Sequence, residues 1–144
     1  MGSGVTPPGD PERLVQASMV FARAMLEHLA GCAAEVGLPK QQAYALHLLA
    51  HHPGLSMSAL GDLLGTDPST VSGLVDRLEA RGLIERHSAS DDRRVKMLTM
   101  TELGRDVDSQ VDALLRVRPP GCGALSDTEQ ETLADLLERV VRPA

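Results

Sequence analysis

Aromatic side chains are nearly missing from this chain: it has no tryptophan, and Phe21 and Tyr44 stand alone. A core must then be assembled from Leu, Val, Ala and Met, a set that suits packed helices better than sheets. Cysteine is also scarce. Cys32 and Cys122 are too few for a disulfide framework, so a reducing cytoplasm is the expected setting. No basic segment followed by an apolar run opens the chain, and no secretory leader is expected. Long apolar runs are absent too. The stretch from Gln41 to Gly61 lacks Asp, Glu, Lys and Arg, but it holds two Gln, three His and a Pro-Gly break, which is no membrane span.

Positive charge is short as well. With 14 basic and 20 acidic residues the net charge is −6, which taken whole argues against a nucleic-acid partner. The distribution argues otherwise. From Asp67 to Lys96 six bases (Arg77, Arg81, Arg86, Arg93, Arg94, Lys96) balance six acids (Asp67, Asp76, Glu79, Glu85, Asp91, Asp92), so the whole excess of acid lies outside that window. The acids Asp106, Asp108, Asp112, Glu129, Glu131, Asp135 and Glu138 fall toward the C-terminus. At 144 residues the chain is one domain, or one domain with a dimerisation extension.

What is present is a series of helix punctuation marks. Residues 1–10 are Gly- and Pro-rich and read as a disordered arm. Asp10-Pro11 is an N-cap followed by a first-turn proline, opening a helix to about Glu35 with apolar residues on more than one face. A second helix spans about Lys40 to His51. Ser56 caps a third, with Leu60, Leu63 and Leu64 inward and Gly65 as its stop. Asp67-Pro68 repeats the cap-plus-proline signature and opens a fourth, 68–81, closed by Gly82. Leu83 to His87 and Val95 to Thr99 are then short and β-compatible, separated by a polar tip, 88–94: a hairpin. Thr101 caps a fifth helix to about Val117, and Ser126 with Glu129 forms a capping box for a sixth. The expected fold is mainly α with a small β-hairpin wing, in the order α-α-α-α-β-β-α-α.

Ser56 to Gly82 is two capped helices joined by Gly65-Thr66-Asp67, a helix-turn-helix spacing. On the second of these helices Val71, Leu74, Val75 and Leu78 share one face, and Ser69, Ser72, Gly73, Asp76 and Arg77 share the other. A face of hydroxyls, a glycine and one long base can sink into a major groove, where short donors reach bases or phosphates and Arg takes guanine bidentately. A hairpin directly after such a helix is a wing. Its Arg94 suits insertion into the narrow, electronegative minor groove, Arg93 a phosphate, and Asp92 the bracing of a guanidinium.

The run STVSGLVDRLEARGLIERHSASDDRRVKMLTMTELG, residues 69–104, closely resembles the multiple antibiotic resistance regulator (MarR) family of bacterial transcription factors. The passage VDRLEARGLIER, the DDRR wing and the LTMTELG entry to the next helix carry the match, and the order of flanking helices extends it over nearly all of the chain after residue 11. The resemblance implies a winged helix-turn-helix with N- and C-terminal dimerisation helices. It also implies a homodimer on pseudo-palindromic double-stranded DNA, usually a repressor released by a small ligand or by oxidation. Mapped onto this chain, 11–36 and 102–144 are the dimerisation helices and 37–101 the DNA-binding domain. The implied DNA contacts are Ser69, Thr70, Ser72 and Arg77, with Gly73 allowing close approach, Arg93 and Arg94 on the wing, and Ser56 offering a helix end to a phosphate. Many members are basic where this chain has Pro68 or Gly73, which shifts weight from the helix to the wing and to DNA shape. The apolar stripes of the first, fifth and sixth helices independently call for a second copy to cover them.

The resemblance also implies an effector pocket, for which Phe21, Met25, His28, Tyr44 and His47 are the candidates. Plain core roles are an equal reading of the same residues. Cys32 and Cys122 leave a redox-sensing regulator as an alternative, and Pro68 and Gly73 leave a winged-helix protein-interaction module as another. His28, Cys32 and His47 have ligand chemistry for zinc, but too few histidines follow for a rich site, and neither metal nor cofactor is expected. No nucleophile triad, metalloprotease motif or phosphate loop marks an enzyme.

Overall fold

Side-chain caps set five of the helix starts in the computed structural model, which describes residues 9–142. Ser56, Asp67, Thr101 and Ser126 each accept the backbone N–H three residues on, satisfying donors that the first helical turn leaves unpaired. The elements are α1 (Pro11–Glu35), α2 (Lys40–His51), α3 (Met57–Leu64), α4 (Pro68–Ala80), β1 (Ile84–Ser88), β2 (Lys96–Met100), α5 (Glu102–Val117) and α6 (Asp127–Val141). Asp10 accepts from the Arg13 N–H, as expected of a cap. The disordered arm expected over 1–10 falls largely outside the described residues.

Two compact units divide the described chain: His28–Pro119, and residues 9–27 with 120–142. In the first, an aliphatic core joins Leu29, Cys32 and Ala33 of α1 to Leu46 and Leu49 of α2, Leu60 of α3, Val71, Leu74, Val75 and Leu78 of α4, Ile84 of β1, Leu98 of β2 and Val111 of α5. Each fully buried Leu, Ile or Val there stabilises by roughly 1.5–3 kcal/mol relative to exposure. No aromatic ring is fully buried among the described residues. The four α4 positions assigned to one face all go inward. Leu63 does not: it is 43% exposed, because Leu60 and Leu64 already occupy the inward side of a helix only eight residues long.

The hairpin is antiparallel, with Ile84 opposite Met100 and Ser88 opposite Lys96. Each strand lies one residue later than its apolar pattern suggests, and the tip is 89–95 rather than 88–94. Leu83 is buried but spends its carbonyl on the Thr101 N–H, so it serves the turn instead of the ladder. Likewise α4 ends at Ala80, with Arg81 as its C-cap. A short extension was not legible in the sequence: the Leu98 N–H donates to the Leu55 carbonyl at 2.8 Å and Ser56 bridges to Met97, so the entry to α3 lies along β2.

Gly104 fixes how α5 leaves the hairpin. A Cβ there would lie on top of the Leu83 carbonyl oxygen, and only a glycine lets the helix pass so close. The Thr101 hydroxyl donates to the Gly82 carbonyl at 2.6 Å while accepting from Gly104 N–H, locking the same junction.

In the second unit no described residue is fully buried. Leu14, Met19 and Val20 of α1 are 67%, 70% and 69% exposed, and Val140 and Val141 of α6 are 79% and 75% exposed. The capping box at Ser126 is formed as expected.

Candidate nucleic-acid interface

The second helix of the pair, α4, starts from a tight connection. Gly65 ends α3 in the left-handed conformation (φ 62°), and Asp67 then caps α4, accepting from the Thr70 N–H at 3.0 Å. The same carboxylate accepts the Thr70 hydroxyl proton at 2.6 Å, and these bonds hold Asp67 below the usual carboxylate pKa. Thr70 is thereby left as an acceptor. It can meet a base amine but has no proton to offer a phosphate.

Ser69, Thr70 and Arg77 are exposed, and Ser72 and Gly73 are half-buried. The nearest atom to a Cβ built on Gly73 is Arg77 Nη2 at 3.8 Å, so the guanidinium lies back along the helix beside the glycine. Ser56 is half-buried and accepts from the Ala59 N–H at 3.1 Å, which leaves its hydroxyl proton available.

On the wing, Arg93 and Arg94 are exposed and unpaired among the described residues. The expected role of Asp92 needs correction. Its carboxylate accepts the Arg94 backbone N–H at 2.9 Å and its carbonyl accepts from Val95, so it shapes the loop and holds no guanidinium. The short Asp side chain reaches two residues along its own turn more readily than it reaches a free side chain. Lys96, one residue past the tip, donates to the Ser88 hydroxyl at 2.8 Å.

Wing and helices meet around one cleft of about 490 Å³, where Arg94 and Lys96 stand across from Ser56, Ser58, Thr66 and Pro68. The cationic loop and the N-terminal ends of α3 and α4 therefore border the same surface. Lys96, Ser58 and Thr66 were not picked out in the sequence. Their signal was faint: Lys96 is the last base of an already mixed window.

A chain of that fold and motif content matches a known family. A model of the MarR family fits residues 36–95. The chain is 38% identical over 98 residues to a candidate transcriptional regulatory protein for the hcr operon of Thauera aromatica, a match covering 67% of this chain and 59% of that protein. It is 32% identical to a candidate transcriptional regulator from Pseudomonas aeruginosa of known crystal structure, over 83% of this chain and 93% of that one, with a TM-score of 0.63.

The chain belongs to the MarR family. Its fold agrees with apo MarR from E. coli at a TM-score of 0.80 and 20% identity, covering 90% of this chain and 96% of that one. A cysteine-to-serine mutant of the same protein, complexed with operator DNA, gives 0.70. The chain spans 59% of the length of the Thauera relative, under two thirds of it. The Thauera and Pseudomonas relatives are both named as transcriptional regulators.

The five candidate pocket residues are split between the units. Phe21 and Met25 are half-buried in one, and His28, Tyr44 and His47 are half-buried in the other. Phe21 lines an open groove of α1 with Val20 and Pro120. The His28 Nε2 lies 3.1 Å from the Leu115 carbonyl and 3.9 Å from the Cys32 sulfur. His47 turns elsewhere, its Nδ1 3.8 Å from Asp108 Oδ1, so the three residues with zinc chemistry do not converge. Among the described residues no three His, Cys, Asp or Glu side chains are placed to hold a metal.

Contact with the Asp108 carboxylate raises the His47 pKa above its ordinary value, against burial that lowers it. Burial, and then the charge of Glu35, push the Cys32 thiol pKa up. A buried thiol held in the protonated form is a poor redox sensor. Cys122 is exposed, 3.4 Å from Gln130 Oε1.

Proposed function

We propose that the protein is a homodimeric transcriptional regulator of the cytoplasm, a repressor that binds pseudo-palindromic double-stranded DNA and is relieved by a small molecule. Residues 37–101 form the DNA-binding part, and 11–36 with 102–144 form the dimerisation helices. The helix α4 enters the major groove with Ser69, Thr70, Ser72 and Arg77, Gly73 letting the backbone approach. Arg94 enters the adjacent minor groove while Arg93 meets a phosphate. Ser56 donates to the backbone from the start of α3, and Asp92 keeps the wing in shape.

The observation that carries this reading is the shared cleft: Arg94 on the wing borders the same surface as Ser56 and the first turn of α4. One duplex edge can engage both elements at once, as wing and reading helix require. The family relationship, and the operator DNA bound in a MarR crystal structure of the same fold, support the choice of partner.

The second copy is argued from exposed apolar surface. Leu14, Met19, Val20, Val140 and Val141 would leave a large apolar area in water on a lone chain, and a two-fold partner buries it isologously. Two copies then present their α4 helices about 34 Å apart, one turn of the duplex. Relief by an effector rests on the family relationship, with Phe21, Met25, His28, Tyr44 and His47 as the residues proposed for it.

Selection of bound fragments from genomic DNA by the purified protein tests the proposal, followed by footprinting and light scattering of the complex. The expected result is a two-fold symmetric site protected by two chains. Retention of random fragments with equal affinity would remove the operator, and a single chain per site would remove the dimer.

A further inference from the structure

Further along β2 from the wing cleft, the His28–Pro119 unit holds a second cleft of about 420 Å³. That volume lies in the range of small-molecule sites, roughly 300–1,000 Å³. Its apolar lining comes from Leu49, Leu98 and Met100, and its polar groups come from Arg105, Asp108 and Ser109 of α5.

Asp108 is the unusual member. It is only 9% exposed, and its carboxylate makes no hydrogen bond among the described residues. Its one ion-pair partner among the described residues is His47, whose Nδ1 stands at 3.8 Å, beyond hydrogen-bond reach, and has no other hydrogen-bond partner. A largely buried carboxylate normally accepts hydrogen bonds, and the long contact to His47 supplies none. Beside His47, Asp108 thus has acceptor capacity to spare, and it lines a cleft that also presents apolar walls.

Arg105, one turn earlier on α5, does not fill that need. Its Nη1 donates to the Met100 carbonyl at 2.9 Å, and the side chain is exposed at the rim. A cation at the outer end of a ligand would meet this guanidinium and be repelled, whereas a cation at the inner end would meet Asp108.

We propose that this cleft is a binding site for a small organic monocation, an amine with an apolar body, whose ammonium donates to Asp108 while the body covers Leu49, Leu98 and Met100. The assignment does not depend on DNA binding. It concerns different residues from the five effector candidates, apart from the neighbourhood of His47 and Asp108.

The test uses the full chain with methyl-labelled methionine, the Met100 signal being assigned through Met100→Leu. Phenethylammonium chloride, 2-phenylethanol and 3-phenylpropionate are titrated at pH 7.5 and constant ionic strength. The expected result is a saturable shift of the Met100 methyl with the ammonium, at least about tenfold weaker binding of the alcohol, and none of the carboxylate. Asp108→Asn should weaken the ammonium by about tenfold or more, since the charge-assisted bond is lost. Should Asp108→Asn fail to fold, Ala50→Phe decides. Ala50 is exposed on the cleft wall, so the larger ring blocks the cavity from outside the core and should abolish the shift. No saturable shift in the wild-type chain, equal affinity for the alcohol, or undiminished binding by either folded variant would overturn the assignment.

Discussion

Arg86 on the first wing strand clasps Asp76 on α4: its Nη2 lies 2.5 Å from Asp76 Oδ1 and 2.7 Å from Glu79 Oε2. The other terminal nitrogen lies 3.9 Å from the Met57 sulfur, so one side chain touches β1, α3 and α4. The pairing ties the hairpin to the helix it accompanies. It also neutralises two carboxylates at the edge of a surface proposed to meet phosphates.

Arg86→Leu should separate those two roles. Asp76 and Glu79 are 59% and 40% exposed, and pairs of that kind contribute about 1 kcal/mol or less. A urea titration is therefore expected to show a small loss of stability. DNA affinity should fall by more than that loss, because two carboxylates are then uncompensated beside the duplex. An unchanged affinity would mean that the clasp faces away from the DNA.

Two glycines should respond in opposite ways. Gly104→Ala forces a methyl group onto the Leu83 carbonyl, a backbone atom with little room to yield, and is expected to cost about 2–4 kcal/mol or to prevent folding. Gly73→Ala meets only the end of Arg77 and gains helix propensity of up to about 1 kcal/mol, so its unfolding midpoint should hold or rise. If the DNA backbone or a base edge approaches at Gly73, the same variant loses affinity while remaining folded. Thermal melts and DNA titrations on both variants check this.

The His47–Asp108 contact sets a pH dependence. The folded pKa of His47 is raised, so protonation favours the folded chain. This contribution is fully present below the unfolded value, about 6.5, and is lost as pH rises through the folded value above it. Comparing urea midpoints of the wild type and His47→Gln from pH 5.5 to 8.5, the wild-type advantage should shrink toward alkaline pH. Asp67 and Glu129 have the opposite sign: their depressed pKa values give stability that is lost in acid, outside that window.

Most element boundaries were legible because each is marked by a local residue with one physical job. Ser56, Asp67, Thr101 and Ser126 cap helices, Gly65 supplies the left-handed stop, and Val71, Leu74, Val75 and Leu78 repeat at helical spacing. The strands slipped by one residue because Leu83 is as apolar as Ile84, and only the bond from Thr101 to its carbonyl shows that it belongs to the turn. The candidate interface was legible in outline: α4 and an arginine-bearing wing. Three details were not. The Arg86 clasp, the Asp92 loop bond and the Asp67 hold on Thr70 are choices among several nearby partners, which depend on how the hairpin folds back. The pairing of Asp108 with His47 was hidden for the same reason. Asp108 reads as one acid among many on α5, and nothing local distinguishes it from solvated Asp106.

The central claim is that α4 and the wing grip one duplex together, and the salt dependence of operator binding tests it most directly. Affinity for the selected fragment should fall linearly on a log–log plot against salt, with a slope of about −0.9 for each phosphate neutralised. Arg94→Ala should cost about 1–3 kcal/mol of binding at fixed salt. Arg93→Ala should make the slope shallower by about one unit. A flat salt response, or wild-type affinity in the Arg94→Ala variant, would contradict the account.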